Sequence, residues 1–495
     1  MFGWLAKIQL LPAILALNLS VIAIIALLTL LFGRIYCSVI CPLGVFQDVV
    51  SRILRTKKKN KFSYSSAKSW LRYGVLVTII IAGVAGIHSV VSLLEPYSAF
   101  GRMASHLFAP LYKSGNNLLA YFAERLESYT FYSVEVWLPS GITLAVAVVT
   151  LVIVSVLAWR NGRAYCNTIC PVGTVLGLLS KFSLFKITLN TGKCTHCGLC
   201  EHSCKASCID SANHRIDYSR CVMCMNCLEK CRSNAIQLLA INPIPSTTST
   251  KSTTPKRENI GQNIATISRK SFISLVALFG LSFLAGAAKP PKELQGDGGL
   301  ADIEDKKCPA RKTPIKPPGA EGIRNFDIHC TSCQLCVSVC PNQVLRPSEK
   351  FVSLMQPEMS YERGYCRPEC VKCSEVCPSG AIKQITTAEK SAIQIGRAAW
   401  IKEICVVNTD NVPCTNCERH CPTKAITMIP REAESDKAYD KSSDKSSDKS
   451  SNQPLKIPTI DNEKCIGCGA CENLCPARPY SAIYVEGNVR HHYNL

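Results

Sequence analysis

Most of the cysteines in this chain have the spacing of iron–sulfur ligands. Of thirty cysteines in 495 residues, twenty-four fall into six short runs; two near mid-chain have the pattern C-x2-C-x2-C-x3-C, and the four later runs end in Cys-Pro. Bacterial ferredoxins hold cubane [4Fe–4S] clusters with four thiolates at such spacings. The sequence therefore predicts one-electron transfer through iron–sulfur clusters.

Zinc binding and disulfide bonding are the alternatives for these cysteines. Structural zinc sites usually present two C-x2-C pairs that lie well apart, whereas most of these runs place three cysteines at two-residue gaps and a fourth after three residues. Cysteines two residues apart seldom meet the geometry of a disulfide bond. Because the ferredoxin-like spacing recurs along the chain, we favour clusters over both alternatives.

The six runs form three consecutive pairs, and each pair predicts a module with two clusters. In two-cluster ferredoxins the fourth cysteine of one run binds the cluster of the other run. We therefore predict six clusters with crossed ligands. The predicted quartets are Cys194, Cys197, Cys200 and Cys231; Cys221, Cys224, Cys227 and Cys204; Cys330, Cys333, Cys336 and Cys377; Cys366, Cys370, Cys373 and Cys340; Cys405, Cys414, Cys417 and Cys475; and Cys465, Cys468, Cys471 and Cys421.

A second cysteine pattern, G-R-x-Y-C-x3-C-P-x-G, occurs at residues 33–44 and again at residues 162–173. Cysteines four positions apart share one face of a helix, so four thiols converge if the two copies pack together. They would then bind a metal or form a redox relay; the alternative is a packing motif with inert thiols. We favour the redox role for these cysteines, which are Cys37, Cys41, Cys166 and Cys170. Cys208 and Cys308 fit neither pattern and are expected to be spare thiols.

Four apolar stretches of the chain are candidates for the helices that position these cysteines. The first two exceed the roughly 20 residues that a membrane-spanning helix needs, and the fourth is a marginal candidate for an anchor or an export signal. Met1 lies only seven residues before the first stretch, and the orientation predicted from the basic loop would place it outside the membrane. We therefore expect a preceding helix to be missing. The stretches cover residues 8–32, 71–94, 141–159 and 272–288.

The net charge of +20 is concentrated in the loop between the first two stretches. A basic run can bind nucleic acid, but its position directly before a predicted span fits cytoplasmic anchoring better, so we expect no nucleic-acid partner. This orientation places residues 33–71 in the cytoplasm and residues 95–140 outside. The basic residues are Arg52, Arg55, Lys57, Lys58, Lys59, Lys61, Lys68 and Arg72.

The predicted protein is multidomain, with an α-helical membrane region of about four spans and three α+β two-cluster ferredoxin-like modules. Ser- and Pro-rich segments and Asp-Lys-Ser-Ser repeats predict linkers and a disordered insertion. The predicted boundaries are 1–190 for the membrane region; 191–242, 326–390 and 391–495 for the modules; 243–270 and 290–325 for linkers; 271–289 for the anchor or export-signal-like segment; and 433–455 for the insertion.

With its doubled motif, apolar stretches and first module, the front half of the chain resembles the NapH type of membrane quinol dehydrogenase. The tail, with Pro317-Pro318-Gly319-Ala320 ahead of four cysteine runs, resembles the NapG type of exported ferredoxin-like protein. The chain looks like a fusion of the two. The resemblance implies that electrons pass from menaquinol or ubiquinol through [4Fe–4S] clusters to an extracytoplasmic redox protein.

The first functional hypothesis is therefore an electron conduit, a component of a quinol dehydrogenase. It would be a multi-pass protein of the bacterial inner membrane with a cytoplasmic module and an extracytoplasmic four-cluster tail. His88 and Glu95 are candidate proton acceptors, since ionisable groups near membrane spans are often functional; His88 has a packing role as its alternative. The second hypothesis is a redox assembly or maturation factor for a metalloenzyme.

Overall fold

The computed structural model describes residues 3–54, 62–240, 304–431 and 455–493. Its first part is helical, because the sequence is rich in apolar residues with few helix breakers. The helices of this region are α1 (Gly3–Lys7), α2 (Leu10–Leu15), α3 (Leu19–Phe32), α4 (Ile35–Val39), α5 (Pro42–Leu54), α6 (Ser69–Val84), α7 (His88–Leu94), α8 (Pro96–Met103), α9 (Ala109–Arg125), α10 (Gly141–Asn161), α11 (Ala164–Thr168) and α12 (Pro171–Leu179). A π-helical turn, Ala104–Phe108, joins α8 to α9.

Among the described residues, only α10 is both long and apolar enough to cross a membrane; Leu19–Phe32, Ser69–Val84 and Pro171–Phe182 are shorter apolar helices. Four spans are therefore not supported. The first two predicted stretches are each interrupted, at Leu17 with a φ of 52° and at Gly86 with a φ of 78°. Since a left-handed residue cannot continue a right-handed helix, each stretch becomes two shorter helices. Hydrophobicity alone did not reveal these breaks.

The central module follows directly after the helical region. Strand β1 (Phe185–Leu189) pairs antiparallel with β4 (Ile236–Ala240), so the module begins a few residues before the predicted boundary. Between them lie α13 (Leu199–Ser203), the short hairpin of β2 (Ile209–Asp210) and β3 (Arg215–Ile216), and α14 (Asn226–Lys230). This arrangement brings both of its cysteine runs into one small domain.

The tail contains the remaining elements. They are α15 (Ile323–His329), α16 (Leu335–Val339), β5 (Leu345–Pro347), β6 (Pro357–Met359), α17 (Lys372–Val376), α18 (Thr387–Ala392), β7 (Ile393–Trp400), α19 (Val406–Thr409), α20 (Asn416–Arg419), β8 (Ile426–Pro430), β9 (Lys456–Ile460), α21 (Ala470–Leu474) and β10 (Ile483–Tyr493). All their strand pairs, β5–β6, β7–β10 and β8–β9, are antiparallel.

The two predicted modules of the tail pack directly on each other. The Tyr361 hydroxyl donates to the Gly467 carbonyl at 2.6 Å, and the Cys366 amide donates to the Cys468 carbonyl at 2.9 Å. A cysteine loop of one module thus contacts a cysteine loop of the other.

The predicted linker 290–325 is not a loose connection over its described part, residues 304–325. Ile315 is fully buried in the core of the tail. The Lys306 ammonium donates to the carbonyls of Glu472, Asn473 and Cys475 at 2.7–2.9 Å. Its Pro- and Lys-rich composition suggested a flexible segment, but its extended backbone lies along the tail and binds it. The predictions for 243–270, 271–289 and 433–455 fall almost wholly outside the described residues.

The central module and the tail lie at opposite ends of α10. At its beginning, the Ser140 hydroxyl caps the helix and donates to Glu349 of the tail at 3.0 Å. Just after its end, the Arg163 amide donates to the Lys205 carbonyl of the central module at 2.9 Å. A helix of 21 residues spans about 31 Å, since each residue rises 1.5 Å. The central module and the tail therefore each contact a different end of this helix.

Candidate functional site

The structure gathers the cysteines in the crossed arrangement expected from their spacing. One cavity of the central module is lined by Cys194, Cys197, Cys200 and Cys231, and another by Cys204, Cys221, Cys224 and Cys227. In both, the remote cysteine comes from the other run. This donor set, four thiols around one small cavity, fits a [4Fe–4S] cluster.

The tail repeats this arrangement. Two of its quartets line cavities, Cys340 with Cys366, Cys370 and Cys373, and Cys475 with Cys405, Cys414 and Cys417. In the other two, Cys336 lies near Cys330, Cys333 and Cys377, and Cys468 lies near Cys465, Cys421 and Cys471. Within the described residues, no three His, Cys, Asp or Glu side chains are gathered tightly enough for a single metal ion; each thiolate of a cubane binds a different iron, so such ligands stand further apart.

Four of the cysteine loops share one backbone conformation. In each, the residue before the second cysteine and the residue after it both have positive φ: His196 and Gly198, Met223 and Met225, Ser332 and Gln334, and Gly467 and Gly469. Residues other than glycine rarely adopt this conformation, and they keep it where the surroundings require it. Its recurrence in loops of unrelated sequence indicates that the loops wrap around the same kind of group.

Cys208 is not an isolated spare thiol. Its sulfur lies 3.5 Å from that of Cys204, and it lines the same cavity as Cys221, Cys224 and Cys227. The fifth cysteine at this cavity carries no sequence signal, because its position falls outside the four-cysteine spacing. Cys308 is exposed, and Arg311 donates to its sulfur at 2.8 Å.

The two copies of the repeated motif do pack together, and their four thiols converge. Cys37, Cys41, Cys166 and Cys170 are each 4 % exposed and lie close enough for their charges to interact. Gln47 donates to the Cys166 sulfur at 3.2 Å, and the Gly173 amide donates to the Cys170 sulfur at 3.4 Å. These donors would stabilise thiolates, because hydrogen bonds to an anion favour the charged form. We call these cysteines the four-thiol centre.

The arginine of each motif copy donates hydrogen bonds to the other copy. Arg34 of the first copy donates to Asn167 at 2.8 Å and to the Cys166 carbonyl at 3.0 Å in the second. Arg163 of the second copy donates to the Cys37 carbonyl of the first. Both arginines are completely buried. The last motif glycine allows this exchange, since a Cβ on Gly44 would meet Arg163 and the Cys37 carbonyl oxygen. Each copy therefore completes the other.

Asp48 neutralises one of these buried arginines. The Arg163 guanidinium reaches both oxygens of Asp48 at 3.0 and 2.6 Å, and Lys205 adds a contact at 3.1 Å. Burial alone would raise the pKa of Asp48, but hydrogen bonds and charge from Arg163 and Lys205 outweigh it and lower the pKa. The carboxylate therefore stays ionised and joins the helical region to the central module.

We expect Arg163→Met to destabilise the protein by about 3 kcal/mol, because it removes the bidentate partner of the partly buried Asp48 and leaves only the contact with Lys205. The thermal midpoint of unfolding, followed by circular dichroism, measures this effect. Lys464→Met is the matched control, since the Lys464–Asp461 pair is exposed and should not change the midpoint. An Arg163→Met protein with the wild-type midpoint would show that the arginine exchange is not structural.

Arg72, expected to be one of the cytoplasmic anchoring charges, is instead buried. Its guanidinium donates to the hydroxyl of Ser219 at 3.1 Å and to the Ser219 carbonyl at 3.3 Å. Arg34 also donates to the Ser219 carbonyl, at 3.0 Å. The central module is thus fixed to the helical region next to the four-thiol centre.

Beyond the four-thiol centre, several buried polar residues lie at the start of α8. Glu95 is 1 % exposed and caps α8 by accepting a hydrogen bond from the Ser98 amide. Arg102, also buried, donates to the carbonyls of Ser92 and Leu93 at 2.8 and 3.2 Å. The Tyr165 hydroxyl, from the second motif copy, donates to the Leu94 carbonyl at 3.1 Å. The four-thiol centre and Glu95 are therefore linked through Tyr165.

Helix α8 contacts a cysteine loop of the tail. Gly101 lies against the Cys333 carbonyl oxygen so closely that a Cβ there would clash. The Ser98 hydroxyl donates to the Thr331 carbonyl at 2.5 Å. Trp137 lies between Arg346 and Arg363 of the tail, with its ring 5.2 and 5.3 Å from the two guanidinium carbons. One predicted quartet thus lies directly on the helix that Glu95 caps.

The two sequence-predicted proton acceptors are separated. Glu95 lies inside the buried polar group, whereas His88 begins α7, is only half-buried and lies near Asp327 and His329 of the tail. Their catalytic roles remain predictions. Sequence reasoning assigned no role to Arg34, Arg163 or Arg102, although the first two occupy the same position in both copies of the repeated motif.

Comparisons with known proteins bear on these sites. A model described as "4Fe-4S binding domain" matches residues 14–61 and 140–190, "4Fe-4S dicluster domain" matches residues 329–381 and 412–478, and a further "4Fe-4S binding domain" matches residues 214–237. No solved structure matches the chain. Both the helical region and the cysteine modules are therefore similar to iron–sulfur proteins.

The methylamine utilization ferredoxin-type protein MauM of Methylophilus methylotrophus is 32 % identical over 180 residues, which cover 34 % of this chain and 69 % of that protein. The chain belongs to the MauM family of ferredoxin-type proteins. The ferredoxin-type protein NapG is also similar: that of Haemophilus influenzae is 29 % identical over 43 % of this chain and 75 % of the relative, and that of Escherichia coli is 25 % identical over 43 % and 90 %.

The chain is accordingly a ferredoxin-type iron–sulfur protein of electron transfer, and the expected likeness to NapG is confirmed. The MauM and NapG relatives each match less than half of this chain. The part of this chain that is similar to MauM thus makes up less than half of its length.

Proposed function

We propose that this MauM-family protein, in a bacterial inner membrane, passes electrons from menaquinol or ubiquinol through [4Fe–4S] clusters to an extracytoplasmic redox protein. In this proposal the helical region is the NapH-type quinol dehydrogenase part, fused to an exported NapG-like tail. The observation that carries it is the contact between α8 and the Cys333 loop. A quinol oxidised near Glu95 would lie next to the Cys333 quartet, which would be the first electron acceptor of the tail.

The position of the two cysteine-rich parts supports transfer across a membrane. They contact opposite ends of α10, whose length matches the hydrocarbon core of about 30 Å. The cytoplasmic side would hold the central module and the extracytoplasmic side the tail. The two interrupted apolar stretches would also belong to the membrane region. Each would cross it as a pair of short helices, α2 with α3 and α6 with α7.

The six quartets would each hold a [4Fe–4S] cluster, which supplies one-electron transfer when bound. The four-thiol centre would bind a further metal centre or act as a thiol relay. An iron–sulfur centre is favoured there because the matching model for residues 14–61 and 140–190 is described as a 4Fe-4S binding domain. Arg34, whose guanidinium lies 3.9 Å from the Cys37 sulfur, would then balance part of the negative charge of the thiolates.

Iron and sulfide analysis, quinol reduction and protease protection test the proposal together. Anaerobically purified protein should contain about 24 irons for six cubanes, or about 28 if the four-thiol centre holds another. A menaquinol analogue should bleach the cluster absorbance. Protease added to the outside of spheroplasts should digest the tail and spare the central module. Failure of quinol to reduce any cluster that dithionite reduces would refute the quinol role; digestion of neither part would refute the transmembrane arrangement.

A further inference from the structure

Five of the six cysteine runs end in the same loop, in which the third residue after the last cysteine has a positive φ and the fourth residue is 1 % exposed. The residues with positive φ are Ser207, Asn234, Gln343, Gly380 and Lys424. The buried residues that follow them are Cys208, Ala235, Val344, Ala381 and Ala425. Four of these five runs therefore place an alanine or a valine at the buried position, whereas the run that ends at Cys204 places a thiol there.

This buried position lies beside the sulfur of the last cysteine. The Val344 amide donates to the Cys340 sulfur at 3.4 Å, and the Ala425 amide donates to the Cys421 sulfur at 3.2 Å. A residue at this position is therefore a neighbour of the fourth ligand of a predicted quartet. In the central module that neighbour is itself a possible ligand.

A packing role is the alternative for Cys208, because a buried cysteine often behaves as a small apolar residue. Its contacts argue against that role. The Cys208 sulfur lies 3.5 Å from that of Cys204 and within hydrogen-bonding reach of that of Cys221. It also lines the cavity that Cys224 and Cys227 line. Five thiols therefore surround a cavity at which a cubane cluster needs four.

We propose that Cys208 is a reserve ligand for the cluster that Cys221, Cys224 and Cys227 would hold, and that it binds the fourth iron when Cys204 is absent or has released it. This inference rests on the cluster assignment in the proposed function. In the exchange, the bond between iron and the Cys204 sulfur breaks and a bond between iron and the Cys208 sulfur forms. The Cys208 thiol gives up its proton, and the released Cys204 thiolate takes one up. The numbers of irons and of electrons do not change.

The backbone between the two thiols is held by the second copy of the repeated motif. The Arg163 amide donates to the Lys205 carbonyl at 2.9 Å, and the Asn167 side-chain amide donates to the Ala206 carbonyl at 3.1 Å. Because this backbone is anchored, rotation of the two cysteine side chains would accomplish the exchange without movement of the loop. The cluster would then keep its place next to the helical region when its ligand changes.

The iron content of Cys204→Ala, measured on the full-length protein purified anaerobically, tests the reserve ligand. This variant should keep all of the wild-type iron, whereas Cys204→Ala/Cys208→Ala should lose about four irons, the content of one cubane. Cys208→Ala alone should keep all of its iron. Electron paramagnetic resonance of dithionite-reduced Cys204→Ala should show an altered signal from one cluster, because one of its ligands has been exchanged.

Cys231→Ala is the matched control, because Cys231 is the fourth ligand of the other predicted quartet in this module and has Ala235 at the equivalent buried position. It should lose about four irons, since no further thiol is at hand. A Cys204→Ala protein that loses about four irons as well would overturn the reserve ligand.

A second variant decides the question if Cys204→Ala fails to fold. Cys231→Ala/Ala235→Cys introduces a thiol at the equivalent position of the other run and should regain the irons that Cys231→Ala loses; no regain would overturn the inference. Iron is counted without any quinol, so these results do not depend on whether menadiol, a menaquinol analogue, reduces the protein. Full wild-type iron in Cys204→Ala/Cys208→Ala would refute both the reserve ligand and the proposed cluster at this cavity.

Discussion

Replacing Gly101 with alanine should slow the reduction of the tail clusters by quinol about 100-fold, since displacing reacting groups by about 1 Å can cost that much. The added Cβ would collide with the Cys333 carbonyl oxygen and push the cysteine loop away from α8. Stopped-flow absorbance after mixing with menadiol measures the rate. Reduction of the same clusters by dithionite, which does not need the contact, should be unaffected.

Gly115→Ala provides the control for the Gly101 experiment. Gly115 lies in α9, and a Cβ there would meet no atom within 4 Å. Alanine also suits a helix better than glycine, so this variant should fold and react like the wild type. If Gly101→Ala is reduced as fast as Gly115→Ala, electrons do not enter the tail through the α8 contact, and another entry route must exist.

Removing the thiol of Cys377 should eliminate the cluster next to α8, although Cys377 belongs to the other run. The structure groups it with Cys330, Cys333 and Cys336, so Cys377→Ala takes away the fourth ligand of that quartet. The purified protein should lose about four irons, since each cubane holds four. Menadiol should then reduce none of the tail clusters, because the entry point is missing.

Cys340→Ala separates the crossed arrangement from an uncrossed one. Cys340 shares its cavity with Cys366, Cys370 and Cys373, so its loss should also cost about four irons while menadiol still reduces the entry cluster. Electron paramagnetic resonance of the menadiol-treated variants distinguishes the two cases. Cys308→Ala, an exposed cysteine outside every quartet, should retain all iron. The opposite behaviour of Cys377→Ala and Cys340→Ala would mean that each run binds its own cluster.

The cysteine quartets were predictable because their geometry is local. Short spacings fix three ligands on one loop, and the crossing follows once two loops face each other. The positive-φ positions next to Cys333 could not be seen in the sequence, because neither Ser332 nor Gln334 is a glycine. Next to Cys197, only one of the two positions, Gly198, is a glycine. Likewise, composition predicted a linker at residues 304–325 where Lys306 binds three carbonyls of the tail.

The helical region was less predictable, since its critical features depend on tertiary contacts. Hydropathy located the apolar stretches but not the left-handed residue Leu17 that divides the first. The repeated motif predicted that four thiols converge, yet the exchange of Arg34 and Arg163 between copies requires both copies in place.

The pairing of β7 with β10 has a consequence for biosynthesis. Strand β7 emerges from the ribosome well before β10, and its partner edge stays open until the later strand has been made. At about 5–20 residues per second, that delay lasts several seconds. An unpaired edge strand is a template for aggregation, so the nascent tail needs a chaperone or early cluster insertion to protect Ile393–Trp400 during synthesis.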